Sequence, residues 1–388
     1  MSILQTIADQ RRGATLSAIT LLNRIYVMGQ RVRRLFHLTR PRVFYPYRSL
    51  LYTHPLFFRY YKHPPVPYCN AFNAQLCHWV DVLPEVLPQR SFVIEPIDHP
   101  LSPAGRSEPG EVLSRKQRVI DVYMDPRCKR ILVESEGQLE LFKRYLPNSL
   151  LDKTEILRVG AVSQSVDFDK KAASLDTLTF LCLASDYTRK AVDLVLQAWR
   201  DFGAKSRCRL ILACPNVPSE LGPSLAQEKV EIIRKAPLSE SEKRSLLEAS
   251  HIMIAPLHVD GGANIIEAFE YGLPVITMRS QRSFVRKDNG WDIDVPFYFY
   301  DPGYGTDWPT WARFWQMVDD AKRNHAFDRT VQEFVRIFEL VEKSPGIVLE
   351  MGRRSHAMGT DEFSLARRNA ALNRIYSTAL QTTNPVTV

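Results

Sequence analysis

A short stretch in the second half of the chain combines residue types that are suited to binding a nucleoside diphosphate. Gly261 and Gly262 precede an apolar run with helical spacing, Glu267 lies one turn inside it, and Gly272 and Pro274 end it. The first turn of a helix presents unpaired N–H groups and the positive end of the helix dipole. Glycines, which have no Cβ, let a phosphate approach these donors closely. Glu267 is then placed to accept hydrogen bonds from the hydroxyls of the attached ribose.

The residues predicted to hold the diphosphate and its ribose are Gly261, Gly262, Ala263, Asn264, Ile265 and Glu267. The same stretch also fits a simpler interpretation. In that interpretation the glycine pair is an ordinary loop, Glu267 is a solvated helix residue, and the segment 272–274 is a helix C-cap and stop. Glycine-helix patterns do produce false matches. The neighbouring segments favour the diphosphate interpretation.

Two adjacent basic residues lie in a second loop of the same half. The apolar run 179–184 indicates a buried strand, and residues 191–199 are apolar at helical spacing. Between them lies a polar loop, 186–190, that ends in Arg189 and Lys190. Adjacent cations before a helix are often only solvated. Two cations here and a helix N-terminus in the other loop of the same domain favour phosphate binding.

Strand and helix signals alternate through this half, which indicates a parallel sheet covered by helices on both faces. Further strands are predicted at 209–213, 230–233 and 252–256, and a capping box at 239–242 opens a helix that runs to Ala249. Ligands of such sheets bind beyond the carboxyl ends of the strands. Because both loops follow strands, we expect them to emerge at the same edge.

These segments resemble the nucleotide-sugar site of glycosyltransferases of the GT-B fold, in particular the large family 4 of retaining enzymes. The resemblance is carried by Glu267-Ala268, by Gly272 and by Pro274-Val275-Ile276, together with the strand, basic loop and helix around Lys190. A helix at 363–376 is similar to the family's terminal helix, which crosses back to the first domain.

The resemblance implies roles for individual residues. Lys190, with Arg189 beside it, contacts the donor diphosphate in this interpretation. The family's first glutamate, close to the donor sugar, corresponds to Val259, and the nearest acid is Asp260, one position out of register. In the family, a histidine that follows a strand of the first domain contacts the donor sugar, and His99 is the best-placed candidate for it. A single histidine in a loop is also often an ordinary surface or packing residue. The candidate catalytic residues are Lys190, Arg189, His99 and Asp260.

The fold class implied is α/β and GT-B-like, with two Rossmann-like domains whose parallel sheets face each other across a cleft. The N-terminal domain is atypical, because the usual opening strand and glycine-rich turn are missing and residues 41–80 are rich in Pro, Tyr, Phe and His. A strand is expected at 156–161 and an interdomain linker at 167–176. The expected domains are a basic amphipathic segment at 1–40, an acceptor-side domain at 41–168, a donor-binding domain at 177–355 and a C-terminal helix at 356–388.

The composition is that of a soluble globular protein, since 45% of the 388 residues are hydrophobic and 24% are charged. No apolar run approaches the ~20 residues that a membrane-spanning helix needs.

Six cysteines without a C-x-x-C pair indicate a reducing, cytoplasmic setting, and Cys182 and Cys214 lie in or beside apolar runs. Cys77-His78 has no second pair at zinc-like spacing, so we expect no metal site.

Much of the net charge of +8 lies in residues 1–40, which contain several arginines and a single acid, Asp9. Apolar residues recur at helical spacing between the arginines. Three interpretations stay open: an amphipathic helix on an anionic membrane surface, which places the protein peripherally on the inner face of the membrane; a transit peptide; and a helix packed on the domain. Nucleic-acid binding is not expected, because no interleaved aromatic and basic groove accompanies the charge.

The resemblance implies a retaining, metal-independent glycosyltransferase. Such an enzyme moves a sugar, a hexose or a related one, from a nucleoside-diphosphate donor to a saccharide or lipid-linked acceptor and needs no cofactor besides the donor. Epimerases and phosphorylases share the fold, but they carry additional carboxylates or a cofactor lysine that this sequence lacks. The remaining alternative is a catalytically degenerate scaffold that binds nucleotide or a protein partner, and the displaced acid Asp260 and the atypical first domain favour it.

Overall fold

A computed structural model describes residues 43–44, 76–80, 90–96, 116–203, 206–235, 238–258, 262–279, 284–297 and 311–381. The chain divides into two compact units. Unit 1 comprises Met1–Leu157 and Asn369–Val388, and unit 2 comprises Arg158–Arg368. Each unit contains a sheet of parallel strands with helices in the connections, which is the α/β class that the sequence predicted.

The sheet of unit 1 has five described strands, and they lie side by side in sequence order. They are β1 (Val43–Phe44), β2 (Leu76–Val80), β3 (Phe92–Glu95), β4 (Cys128–Val133) and β5 (Thr154–Ile156). The described helices of this unit before residue 157 are α1 (Lys116–Met124), α2 (Glu136–Tyr145) and a 3-10 turn (Asn148–Lys153).

The sheet of unit 2 has six described strands in the order β11-β10-β9-β6-β7-β8. They are β6 (Thr179–Leu183), β7 (Arg209–Ala213), β8 (Val230–Ile233), β9 (Ile252–Ala255), β10 (Val275–Met278) and β11 (Gly290–Ile293). The helices are α3 (Phe168–Ala172), α4 (Val192–Gly203), α5 (Gly222–Gln227), α6 (Glu240–Ala249), α7 (Ala263–Glu270), α8 (Trp311–Arg323), α9 (Asp328–Lys343), α10 (Gly346–Thr360) and α11 (Leu365–Gln381), with a 3-10 turn at Ser219–Leu221. Helix α11 begins in unit 2 and ends in unit 1.

The end of α11 packs on the sheet of unit 1 through an apolar core that encloses a polar chain. His78 of β2 lies 2.7 Å (Nδ1) from Tyr376 Oη and 3.1 Å (Nε2) from Glu95 Oε2, and all three residues are buried. Buried polar groups are stable when they are paired in this way. The surrounding apolar residues are Leu76, Val93, Leu132, Leu157, Leu372, Ile375 and Ala379.

The central strands of unit 2 are buried along their whole length, as expected for a parallel sheet that is covered on both faces. An aromatic cluster packs α4 and α9 against β6. Trp199 lies at its centre, with ring centroids 5.3 Å from Phe180 and 5.5 Å from Phe338. The indole N–H of Trp199 donates to the carbonyl of Glu228 at 2.9 Å, so its polar group is satisfied.

Helix α7 ends against α10 through closely packed glycines. Gly272 has φ +62°, and a Cβ there would lie 2.7 Å from Cζ of Phe168. A Cβ on Gly352 would lie 2.5 Å from the carbonyl oxygen of Gly272, and one on Gly359 would lie 3.2 Å from Cβ of Phe269. The predicted glycine stop of this helix is therefore confirmed, and its cause is both the left-handed backbone and close packing.

Two sequence predictions differ from the structure. The strand expected at 156–161 lies earlier in the chain, because β5 spans Thr154–Ile156 and Ala161 instead forms an isolated bridge with Ser364. The segment expected to link the domains, 167–176, carries helix α3 within unit 2. Asp167 caps this helix by accepting a hydrogen bond from the amide of Lys170 at 2.9 Å.

The five described cysteines are free and buried. Burial raises the pKa of the Cys128 thiol to about 12, so this group behaves as a small apolar side chain. Within the described ranges, no helix is both long and apolar enough to span a membrane.

Replacing Gly272 by Ala should destabilise the protein by on the order of 2 kcal/mol or more, because the left-handed backbone disfavours a Cβ and Phe168 occupies its space. Gly346→Ala is the matched control. A Cβ at 346 meets nothing within 4 Å, so its effect should be close to zero or slightly stabilising. Urea midpoints of the two variants measure the difference, and equal midpoints would contradict this packing argument.

Candidate functional site

The order of the strands reverses in the middle of the second sheet. From β6 the chain continues to β7 and β8 on one side, and from β9 it continues to β10 and β11 on the other. At such a switch point the connecting loops leave in opposite directions and open a crevice beyond the carboxyl ends of the strands, where ligands of open α/β sheets bind. The two predicted loop segments, 186–190 and 261–264, come after β6 and β9, the two strands at this point.

The loop after β6 is held in one shape by its own hydrogen bonds. The carboxylate of Asp186 accepts from the amide of Arg189 at 2.7 Å, and its carbonyl accepts from the amide of Lys190 at 3.2 Å. Asn216, which follows β7, accepts from the amide of Tyr187 at 2.9 Å. The Arg189 side chain is exposed, whereas Lys190 is only 8% exposed. The loop thus presents one solvated and one buried cation.

The residue after Lys190 has an unusual backbone. Ala191 has φ +46°, although it carries a Cβ, and it is fully buried. The left-handed region costs a non-glycine residue roughly 1–2 kcal/mol. Such strain persists where the surrounding structure imposes it, and strained residues cluster at functional sites.

Two hydrogen bonds join the loops at the switch point. The amide of His258, after β9, donates to the carbonyl of Arg189 at 3.1 Å. The side-chain amide of Asn264, in the first turn of α7, donates to the carbonyl of Leu183 at 2.8 Å. The basic loop and the start of α7 are therefore fixed at the carboxyl end of β6, as the sequence predicted for the edge that the loops share.

Helix α7 begins with a first turn that lacks a side-chain cap. Gly262 is the N-cap residue, and the amide of Ile265 donates to its carbonyl at 3.0 Å. The side of Gly262 on which a Cβ would lie is filled by Phe284, whose Cε2 is 3.0 Å away, and Phe284 packs on Phe363. Packing against Phe284 therefore accounts for a glycine at 262. The phosphate contact there stays a prediction.

Glu267 lies deep in the domain and is paired with a lysine of α6. Its Oε1 is 2.6 Å from Nζ of Lys243, and the two side chains are 1% and 9% exposed. Lys243 was not predicted as a site residue from the sequence. Its burial could have been predicted, because it lies four residues before the buried Leu247 on the inner face of α6. A lysine on the buried face of a helix indicates a buried partner.

Several predicted site residues lie outside the described residues, namely His99, Asp260 and Gly261. Of Ala263 the structure describes only the backbone, as the first residue of α7. In the part of the chain that the structure describes, no three His, Cys, Asp or Glu residues are grouped as a metal site would require.

His258 is enclosed by aromatic rings and buried to 2% exposure. Its ring centroid lies 5.1 Å from that of Phe327 and 6.3 Å from that of Trp315. Burial, with a smaller contribution from the charge of Lys322, lowers the pKa of His258 to about 3. The imidazole that follows β9 is therefore neutral at neutral pH.

Comparison with protein families gives one match. Residues 177–295 match the family model described as "Glycosyl transferases group 1". This segment runs from β6 to β11 and includes the switch point, the basic loop and Glu267. The segment is similar to that family. The match covers less than half of the chain, and no curated protein matches the chain in sequence.

Several solved structures are similar in fold over most of the chain. Sucrose-phosphate synthase from Thermosynechococcus elongatus is 12% identical with a TM-score of 0.56, over 80% of this chain and 75% of that chain. HepE from Anabaena, solved in complex with UDP, is 12% identical with a TM-score of 0.53, over 79% of each chain. WaaG, a glycosyltransferase involved in lipopolysaccharide biosynthesis, is 13% identical with a TM-score of 0.51, over 78% of each chain. At these identities the similarity shows the fold, and that fold is GT-B, as predicted.

Acid should destabilise the protein partly through His258. Its pKa is about 3 in the folded state and 6.5 when unperturbed, so the unfolded state binds the proton first and stability falls as the pH drops from 6.5 towards 3. Because a phenyl ring does not titrate, His258→Phe should reduce the loss of unfolding free energy between pH 7 and pH 5 by about 2 kcal/mol. Urea titrations at the two pH values measure this difference.

The control is His325→Asn, at an exposed site with φ +58° that Asn tolerates. It should retain the full pH dependence of the wild type. If His258→Phe retains it as well, His258 is not buried in its neutral form.

Proposed function

We propose that this protein is a retaining glycosyltransferase that moves a sugar from a nucleoside diphosphate to the hydroxyl of a saccharide or lipid-linked acceptor. The observation that carries the proposal is the switch point of the second sheet. There the cationic loop of Arg189 and Lys190 and the uncapped start of α7 are joined through the contacts of His258 and Asn264. The family match over residues 177–295 supports the reaction class.

The chemistry requires stabilisation of a diphosphate leaving group. Negative charge develops on the diphosphate as the bond to the sugar breaks. Lys190, Arg189 and the backbone N–H groups at 262–264 supply fixed positive charge and hydrogen-bond donors for it, whereas the amide of Ile265 already donates to the carbonyl of Gly262. Fixed donors aimed at developing charge are usually the largest catalytic contribution, and this set acts without a metal ion.

Glu267 has a binding role in the proposal. Its carboxylate accepts hydrogen bonds from the ribose hydroxyls and thereby fixes the position of the donor. It does not act as a base, and we assign no protein nucleophile. His99 and Asp260 remain candidates for contacts to the donor sugar.

UDP is the first nucleotide to test, because HepE, which has the same fold, was solved with UDP and with UDP-glucose. A lipid-linked or saccharide acceptor is proposed from the basic residues at 1–40, which would hold the enzyme at an anionic membrane surface. The proposed location is the cytoplasm, on the inner face of the membrane.

A second candidate function is a scaffold that binds nucleotide without transferring sugar. Two observations favour it. Glu267 is buried against Lys243, and the Phe284 ring fills the space beside Gly262. Hydrolysis of the donor separates the two functions, because a transferase slowly hydrolyses a UDP-sugar without acceptor, whereas a scaffold at most binds it.

Lys190→Ala should lower the rate of UDP-sugar hydrolysis by about 10²–10³, because one fixed donor to the leaving group is removed. UDP binding should weaken as well, while the thermal midpoint and circular dichroism stay those of a folded protein. Release of UDP and titration calorimetry are the measurements.

The matched control for this variant is Lys343→Ala, which removes an exposed lysine from α9 of the same unit. It should leave hydrolysis and UDP affinity at wild-type values. Unchanged turnover together with unchanged UDP affinity in Lys190→Ala would exclude the assigned role of Lys190.

A further inference from the structure

The buried pair formed by Lys243 and Glu267 joins helix α6 to helix α7. Lys243 lies in the first half of α6, and its amide donates to the carbonyl of Ser239 at 3.0 Å. Ser239 and Glu242 form a capping box, so the start of α6 and the position of Lys243 are fixed by local structure. Glu267 lies in the middle of α7, whose start is fixed to β6 through Asn264.

Burial makes this pair costly to maintain. An ammonium and a carboxylate taken out of water lose several kcal/mol each in solvation, and their attraction offsets this only in good geometry. Replacement of such a pair by apolar residues is often neutral or stabilising. Stability alone therefore does not explain why charges occupy these two positions.

The contact distances show how the carboxylate is oriented. Nζ of Lys243 is 2.6 Å from Oε1 of Glu267 and 3.4 Å from Oε1 of Glu240, a residue of the same helix that is 41% exposed. The ammonium is thus held between a buried and a half-exposed carboxylate. Oε1 of Glu267 accepts from Lys243. In the proposed function, the oxygen that accepts from a ribose hydroxyl is therefore Oε2.

We propose that Lys243 is a positioning residue for nucleotide binding: its ammonium fixes the rotamer and the negative charge of Glu267, so that Oε2 accepts from a ribose hydroxyl of the donor. This inference rests on the proposed function. It adds that discrimination between a ribonucleotide and its deoxy analogue depends on a lysine that itself touches neither sugar nor phosphate.

The test compares the affinities of UDP, 2′-deoxy-UDP and 3′-deoxy-UDP by titration calorimetry. A hydrogen bond to a charged group typically contributes a factor of about ten or more in affinity, so the wild type should prefer UDP by that factor over at least one deoxy analogue. Lys243→Met, which retains the length of the side chain and removes its charge, should lose the preference. Glu267→Gln should lose most of it, and the double variant should lose no more than Lys243→Met.

A conservative variant separates positioning from a purely structural role. Lys243→Arg keeps the charge and should keep most of the preference for UDP, whereas Lys343→Met, at an exposed pair in α9, should keep all of it. If Lys243→Met does not fold, Lys243→Gln takes its place, since its amide still donates to Oε1 without carrying charge. Thermal midpoints establish that each variant is folded.

The outcomes are distinguishable. A folded Lys243→Met variant with the wild-type preference for UDP overturns the role of Lys243 and leaves the proposed function intact. A Lys243→Gln variant with that preference overturns the contribution of the positive charge. A wild type that binds UDP and both deoxy analogues equally overturns the ribose contact of Glu267 and the role of Lys243 with it. A wild type that binds none of UDP, GDP and dTDP overturns the proposed function itself.

Discussion

The reversal of strand order between β6 and β9 is the constraint on which the site depends. A parallel sheet in this order sends its connections to opposite faces on either side of the reversal, and ligands of such sheets bind beyond the carboxyl ends of the strands at this point. The side-chain amide of Asn264 and the amide of His258 then hold both loops to the end of β6 and to each other. The order of the described strands in unit 1 has no such reversal, so in the described part of the chain the rule indicates a ligand site only in unit 2.

Buried charge and a strained backbone position occur close to the switch point in the chain. Lys190 is buried beside a non-glycine residue with positive φ, and Glu267 is buried against Lys243. Each feature costs free energy. The aromatic cluster around Trp199 and the glycine contacts between α7 and α10 stabilise the domain and offset this cost. The polar groups at the switch point are thus held in place by a closely packed domain.

The sequence predicted much of the second half of the fold, because most of its strands are largely apolar runs and a capping box marks the start of α6. The strands at 209–213 and 230–233 have the predicted bounds, and the capping box of α6 is present. The partner of Glu267 was not predicted, since a pair between α6 and α7 depends on how two helices pack. The ring of Phe284 beside Gly262 was missed for the same reason. Spacing along the chain indicates which residues share an element, but contacts between distant elements depend on tertiary structure.

The most direct measurement of the central claim is a crystal structure of the protein with UDP bound. The pyrophosphate should lie within hydrogen-bond distance of the amides at the start of α7 and of the Lys190 ammonium. The ribose hydroxyls should lie at the carboxylate of Glu267, with Lys243 still paired to it. A nucleotide bound elsewhere, or one at the switch point whose phosphates contact neither α7 nor Lys190, would contradict the account.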